Sequence, residues 1–308
     1  MGVINVLRAA RGGIRGAALG AGRLSALSHA RRYSAAYTPE FIRSVFSNVA
    51  ARYDLMNDLM SLGVHRLWKD AFVKEALSAL SEINNRIATA AFEGRSYEGD
   101  TVVKILDLAG GTGDIAFRLL ERAREMRIRD AAGFVLHSPA LRATADITVV
   151  DPSVEMTDIG QKNAANLGFG GAIAWKNAPA ESLPGPDDAF DLVTVAFGVR
   201  NFSDREQGLR ECYRVLKPGG RLMILEFSHC ENDVLGALYE TYSDLVIPRL
   251  GHYIANDRGA YQYLVDSIRS FPNQEELANM LAGIGYTLVS YRNLTGGIVA
   301  IHSAFKPQ

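Results

Sequence analysis

The chain has 308 residues, 48% hydrophobic and 22% charged, which suits one large globular domain or one domain with an appendage. No apolar run approaches the ~20 residues that a membrane-spanning helix needs. Two cysteines and six singly scattered histidines give neither a disulfide framework nor a metal-ligand spacing, so no metal is expected.

The formal net charge of -1 conceals an asymmetry. Residues 1–37 carry Arg8, Arg11, Arg15, Arg23, Arg31 and Arg32 and no acid; the first acid is Glu40. Setting those six arginines aside leaves 27 basic against 34 acidic residues, a net of -7, which argues against nucleic acid as a partner. An Arg-rich, acid-free, Ala/Ser/Gly-containing start reads as a mitochondrial transit peptide. Arg31-Arg32-Tyr33-Ser34 resembles the site that matrix proteases cut after the tyrosine. The expected division is therefore a transit peptide over 1–33 and one domain over 34–308. A disordered basic tail is the alternative.

Residues 39–81 read as an N-terminal helical cap. Ile42, Phe46, Val49 and Tyr53 recur on one helical face, after a Thr38-Pro39-Glu40 start, and a second helix is expected around Leu67 to Leu80. Polar residues 84–100 read as a connector. From residue 102 strands and helices alternate. Strands are expected at Val102–Leu108, Ile147–Asp151, Ala172–Trp175, Phe190–Phe197 and Arg221–Phe227; helices at Gly113–Arg127, Val154–Leu167 and Ser203–Leu216. Lys217-Pro218-Gly219-Gly220 is expected to stop the last of these, with glycine as a left-handed cap. Apolar strands between helices imply an α/β fold whose parallel sheet is covered on both faces. Residues 128–145 read as a loop insertion, 232–247 as helical and 248–272 as irregular. A helix over Gln274–Gly283 and two late strands, Tyr286–Asn293 and Ile298–Phe305, joined by a turn at Thr295-Gly296-Gly297, complete the pattern.

Ile105-Leu106-Asp107-Leu108-Ala109-Gly110-Gly111-Thr112-Gly113-Asp114 lies where a strand opens into a helix. Glycine lets the backbone turn sharply and approach a ligand. Gly111-x-Gly113-x-x-Ala116 also fits a dinucleotide fingerprint. Two features favour S-adenosylmethionine instead. Asp107 precedes the glycines, where an acid suits cationic ligand groups and offers a pyrophosphate nothing. No downstream element supplies a second dinucleotide half. Asp151, ending its strand in Val149-Val150-Asp151-Pro152-Ser153, can accept both ribose hydroxyls. A helix cap is the alternative, though Ser153 could fill that role. Backbone groups at Pro179 and Ala180, after the third strand, are placed to meet adenine.

The blocks LDLAGGTGD (106–114), FGVRN (197–201), YRVLKPGGRLMILEFS (213–228), YQYLVDSIRSFP (261–272), TGGIVAIHSAFKP (295–307) and ARYDLMNDLMSLGVHRLWK (51–69) together resemble the ubiquinone/menaquinone biosynthesis C-methyltransferase family over roughly 39–307. The resemblance implies a Rossmann-like class I methyltransferase fold: a seven-stranded, mostly parallel sheet with an antiparallel last strand. It implies Thr112, Asp151, Pro179 and Ala180 at the cofactor. This chain has Pro179 where the family usually carries Asp or Asn. With the transit peptide, the implied reaction is methyl transfer from S-adenosylmethionine to a ring carbon of 2-methoxy-6-polyprenyl-1,4-benzoquinol, on the matrix side of the inner membrane, as a peripheral protein among other ubiquinone-biosynthesis proteins. Oligomeric state stays open, a homodimer included. Another prenylated quinone such as demethylmenaquinol, or a catalytically silent subunit of a quinone-synthesis complex, is the alternative.

The nucleophile is a ring carbon beside a hydroxyl. A phenol pKa of ~10 must fall by ~3 units to ionise at neutral pH, which a nearby cation or base would achieve. Arg200 and Asn201 follow the fourth strand at the crevice, and Tyr53 could close it. A surface salt bridge for Arg200 and a core aromatic for Tyr53 are the alternatives. His252 and Asp257 fall in a candidate lid. Leu55, Met56, Leu59, Met60, Leu62, Leu238, Tyr242, Leu245 and Val246 are candidates to line a prenyl tunnel, or ordinary helix core.

Overall fold

A computed structural model of the protein describes residues 38, 41, 58, 61, 63–78, 89, 93, 102–125, 128–129, 135–136, 144–231 and 258–308. The expected transit peptide, Tyr53, His252, Asp257, the nine tail-lining candidates and the helix expected over 232–247 lie outside the described residues.

Helix α1 is His65–Ala76, and its buried residues His65, Trp68, Lys69, Phe72, Val73 and Ala76 repeat at the spacing of one helical stripe. Leu67, the expected start, is 67% exposed on the opposite face. The Trp68 indole donates to Thr295 Oγ1 at 2.8 Å, and its ring meets that of Phe227 edge-on, which pins α1 to the main body.

Strand β1 (Val102–Leu108) leads into helix α2 (Asp114–Glu125). The expected loop insertion carries two short strands, β2 (Ile128–Arg129) and β3 (Val135–Leu136), paired antiparallel. Strand β4 (Thr144–Val150), helix α3 (Val154–Asn166), strand β5 (Ile173–Lys176) and strand β6 (Phe190–Ala196) follow. A 3-10 turn over Val199–Asn201 precedes helix α4 (Arg205–Val215).

Strand β7 runs Leu216–Phe227, five residues earlier than expected. Leu216 is already extended (φ -71°, ψ 137°), so no glycine cap ends α4. Gly219 is left-handed (φ 77°), but within the strand, where the partners of Phe190 and Leu192 skip from Leu216 to Arg221. The Lys-Pro-Gly-Gly segment therefore makes a bulge against β6, because the chain passes from helix to sheet without an intervening loop.

Helix α5 (Arg258–Arg269) occupies ground expected to be irregular. Its buried Tyr263, Leu264 and Ser267 form a short inward stripe that tyrosine, glycine and proline neighbours obscured. Helix α6 (Gln274–Ile284) opens on a capping box, Asn273 with Glu276. Strands β8 (Thr287–Leu294) and β9 (Val299–Phe305) are joined through Thr295–Gly297.

The main sheet has the order β5-β4-β1-β6-β7-β9-β8. All pairs are parallel except those of β9, which runs antiparallel to β7 and to β8. Side chains alternate across it. Val103 and Ile105 face a core shared with Trp68, Phe72, Leu119 and Tyr263, while Leu106 and Leu108 face one shared with Leu209, Val215 and Leu277. The two-faced covering expected from apolar strands is thus present. The strand order reverses between β1 and β6, which opens a crevice at their carboxyl ends.

Candidate active site

One cavity lies in that crevice. Its wall includes Asp107, Gly111, Thr112, Asp151, Pro179, Ala180 and Asn201, so seven of the ten residues singled out from sequence meet in one place. Gly113, Arg200 and Tyr53 differ. Gly113 underlies the wall: it is left-handed (φ 86°), and a Cβ there would come within 2.7 Å of the Trp175 ring. Close packing on Trp175, rather than open approach to a ligand, is what requires glycine there. Tyr53 lies outside the described residues.

Strand β1 delivers Asp107 fully buried beneath the glycine turn. Its Oδ1 accepts from Thr194 Oγ1 at 2.8 Å, while Oδ2 has no hydrogen-bond partner among the described residues. Burial pushes this carboxyl up to about 7, against the lowering effect of the Thr194 hydroxyl. An orphaned buried acceptor beside a cavity fits a cationic ligand group.

Asp151 follows β4 directly. Its Oδ2 accepts from Gly111 N at 3.0 Å and its Oδ1 from Ser153 N at 2.9 Å. The cap of α3 belongs to Ser153, whose hydroxyl accepts from Met156 N, so Asp151 has no capping task. Burial raises its carboxyl to about 6, and the two backbone N–H groups lower it. Asn177 bonds Asp151 O and Thr157 Oγ1, tying the Pro179-Ala180 loop to the end of β4.

The segment after β6 adds two aromatic rings to the lining: Phe197, which packs on Trp68 and Phe227, and Phe202, which sits near Ala180 against Gly208. Phe197 holds a left-handed φ of 57°, uncommon for a bulky residue, and its N–H donates to Leu225 O at 2.7 Å. Asn201 projects beside it. Tyr263 of α5 donates from its hydroxyl to Asn201 Oδ1 at 2.7 Å. Arg200 turns away from the wall: Nη1 donates to Glu226 Oε1 at 2.8 Å, and both side chains are buried. The salt bridge of Arg200 is therefore a core one with Glu226 of β7, not the surface pair offered as its alternative.

Sequence reasoning missed Lys69, Asp114, Tyr263 and Glu226. Lys69 lines the cavity from α1, and its Nζ donates to Asp114 Oδ2 at 2.7 Å. Arg118 donates to Asp114 Oδ1 and to Asp70. Burial raises the Asp114 carboxyl, but Lys69 and Arg118 outweigh it and hold that group below its ordinary value. Lys69 and Asp114 end two of the sequence blocks quoted above, which was the signal available.

The acceptors fit an adenosyl amino acid: a buried carboxylate with one oxygen lacking a partner among the described residues, a second carboxylate bonded to the glycine turn, and a loop for adenine. Known proteins agree. A family model described as the ubiE/COQ5 methyltransferase family matches residues 34–306. The chain is 44% identical over 282 residues to the zebrafish (Danio rerio) protein named mitochondrial 2-methoxy-6-polyprenyl-1,4-benzoquinol methylase, covering 87% of this chain and 80% of the relative. It is 44% identical over 265 residues to a Bartonella henselae ubiquinone/menaquinone biosynthesis C-methyltransferase, covering 86% of this chain and 88% of the relative. Among solved structures, a chain of the complex between the Haloferax volcanii Trm112 methyltransferase activator and a methyltransferase shares the fold. Its TM-score is 0.51 at 14% identity, with 85% of this chain and 98% of that one covered.

Proposed function

The chain belongs to the ubiE/COQ5 methyltransferase family, and from that premise we propose that it methylates a ring carbon of 2-methoxy-6-polyprenyl-1,4-benzoquinol in ubiquinone synthesis. It is an S-adenosylmethionine-dependent methyltransferase. The observation that carries the substrate reading is one cavity lined both by Asp107, Gly111 and Asp151, polar groups suited to the methyl donor, and by Phe197 and Asn201, an aromatic ring beside a carboxamide suited to a ring with one polar handle. The substrate itself comes from the names of the relatives.

When bound, S-adenosylmethionine supplies an electrophilic methyl group on a sulfonium. The residues of this chain then have separate tasks. Asp151 accepts from the ribose hydroxyls, and Asp107 Oδ2 faces cationic groups of the donor. Phe197 excludes water and flanks the ring, and Phe202 stands beside Ala180 on the adenine loop. Asn201 is the substrate contact. Tyr263 donates to its Oδ1, and its Nδ2 sends one hydrogen to Phe197 O at 3.5 Å and has the other for the quinol oxygen. A donor there favours the ionised hydroxyl and so enriches the ring carbon. Arg200 acts as a positioning residue through Glu226, holding the turn that carries Asn201. Tyr53 keeps its expected part as a closing residue.

The finer placement is mitochondrial, at the matrix side of the inner membrane, as a peripheral protein within a complex of ubiquinone-biosynthesis proteins. The Arg-rich start supports import, and a prenyl tail supports work at a bilayer. Among the described residues no helix is long and apolar enough to cross a membrane.

The test is an assay of the purified protein with S-adenosylmethionine and reduced quinols of short prenyl length. A methylated 2-methoxy-6-prenyl-1,4-benzoquinol is expected. Methylation of demethylmenaquinol alone would replace this substrate, and absence of S-adenosylmethionine binding would favour a silent subunit.

A further inference from the structure

We propose that Lys69 anchors the carboxylate of the methionine part of S-adenosylmethionine, a proposal that rests on the methyl-donor reading above. Lys69 is only 4% exposed, yet it lines the cavity. Lysine is seldom buried this fully without a partner. Asp114 takes one of the three ammonium donors at 2.7 Å and leaves the others for a ligand.

The charge balance of the wall is one-sided. Among the described residues that line the cavity, Lys69 is the one cation against Asp107, Asp114, Asp151 and Glu181. The methyl donor presents three charges: a sulfonium, an ammonium and a carboxylate. Asp107 Oδ2 suits a cation. A carboxylate set among four acids, in a setting of reduced dielectric, needs a cation of its own. Gly111 N, a backbone donor on the same wall, is already taken by Asp151. Lys69 stands at the first turn of α2, beside the N-terminal dipole that also favours an anion. Asp114 also accepts from Arg118, which is shared with Asp70, so Lys69 is the main group holding Asp114 ionised, and its ammonium still carries two further donors.

Calorimetric titration of the full chain with S-adenosylmethionine and with its decarboxylated analogue tests this. The wild type is expected to bind the decarboxylated compound roughly 10- to 150-fold more weakly, the value of a hydrogen bond to a charged group. Lys69→Met is expected to bind S-adenosylmethionine with that same loss and the decarboxylated analogue as the wild type does. Lys69→Arg is expected to keep most of the discrimination. Equal wild-type affinity for the two compounds, which no variant can confound, would overturn the proposal. So would equal weakening of both compounds in Lys69→Met, the mark of a purely structural lysine. Unchanged affinities with a shifted pH-rate profile would also overturn it, and would move Lys69 to the quinol oxygen. If the wild type binds neither compound, the methyl-donor reading itself fails.

Discussion

Arg200 and Glu226 form an ion pair at 2.8 Å with both side chains almost wholly removed from solvent. Glu226 also accepts from Arg200 N and Phe227 N, so one carboxylate on β7 fastens the turn that follows β6. Breaking such a pair from one side strands a buried charge, at a cost of ~3–5 kcal/mol, whereas apolar replacement of both partners is often neutral. Arg200→Ala is expected to lose stability on that scale in urea unfolding, and Arg200→Met with Glu226→Leu to recover most of it. A single variant as stable as the wild type would mean that the pair contributes nothing.

Asp151→Ala is expected to weaken S-adenosylmethionine binding by about 10- to 150-fold, through lost acceptance by a charged group. Ser153 retains the cap of α3, so the fold is expected to survive, as circular dichroism would report. An unchanged dissociation constant would remove Asp151 from the binding site.

Burial raises Asp107 to about 7 and Asp151 to about 6. Each group therefore holds its proton in the folded chain to a higher pH than in the unfolded chain. Their contribution to stability is complete below about pH 4 and fades as pH rises through 6 to 7. A cationic ligand prefers the ionised carboxylates, so binding is expected to release protons in that window and to tighten with pH, by at most about tenfold per unit for each proton released. Titrations near pH 6.5 in buffers of different ionisation enthalpy measure this; heats independent of buffer would contradict it.

Tyr263→Phe keeps the ring and removes the hydroxyl that donates to Asn201. With a neutral hydrogen bond worth ~0.5–1.5 kcal/mol, kcat is expected to fall about 2- to 12-fold. Affinity for S-adenosylmethionine is expected to stay within about twofold of wild type, since Asn201 is proposed to contact the quinol. A kcat equal to wild type would show that the carboxamide is oriented without Tyr263.

Import is expected to remove residues 1–33, leaving Ser34 first, because the acid-free arginine segment ends at Arg31-Arg32-Tyr33. Sequencing the protein from mitochondria checks this; an intact Met1 would refute it.

The sequence by itself determined the parallel sheet, its glycine turn and the positions of Asp107, Asp151, Pro179 and Ala180. Each of these is local: a strand end, the turn after it and the next helix are contiguous, and their residue types declare the backbone they need. Helix α5 was missed because its inward stripe is short and its neighbours are turn formers, so periodicity gave too little contrast. What only the tertiary structure decided is where long side chains end. Arg200 follows β6 as a site arginine would, yet its partner is 26 residues further on, on the adjacent strand. Lys69 reads as one more polar residue of an amphipathic helix, and it enters the cavity only because α1 packs beside the start of α2. Sheet register and helix packing set those encounters, and both are fixed by burying apolar faces that carry no record in the sequence of which charged groups they bring together.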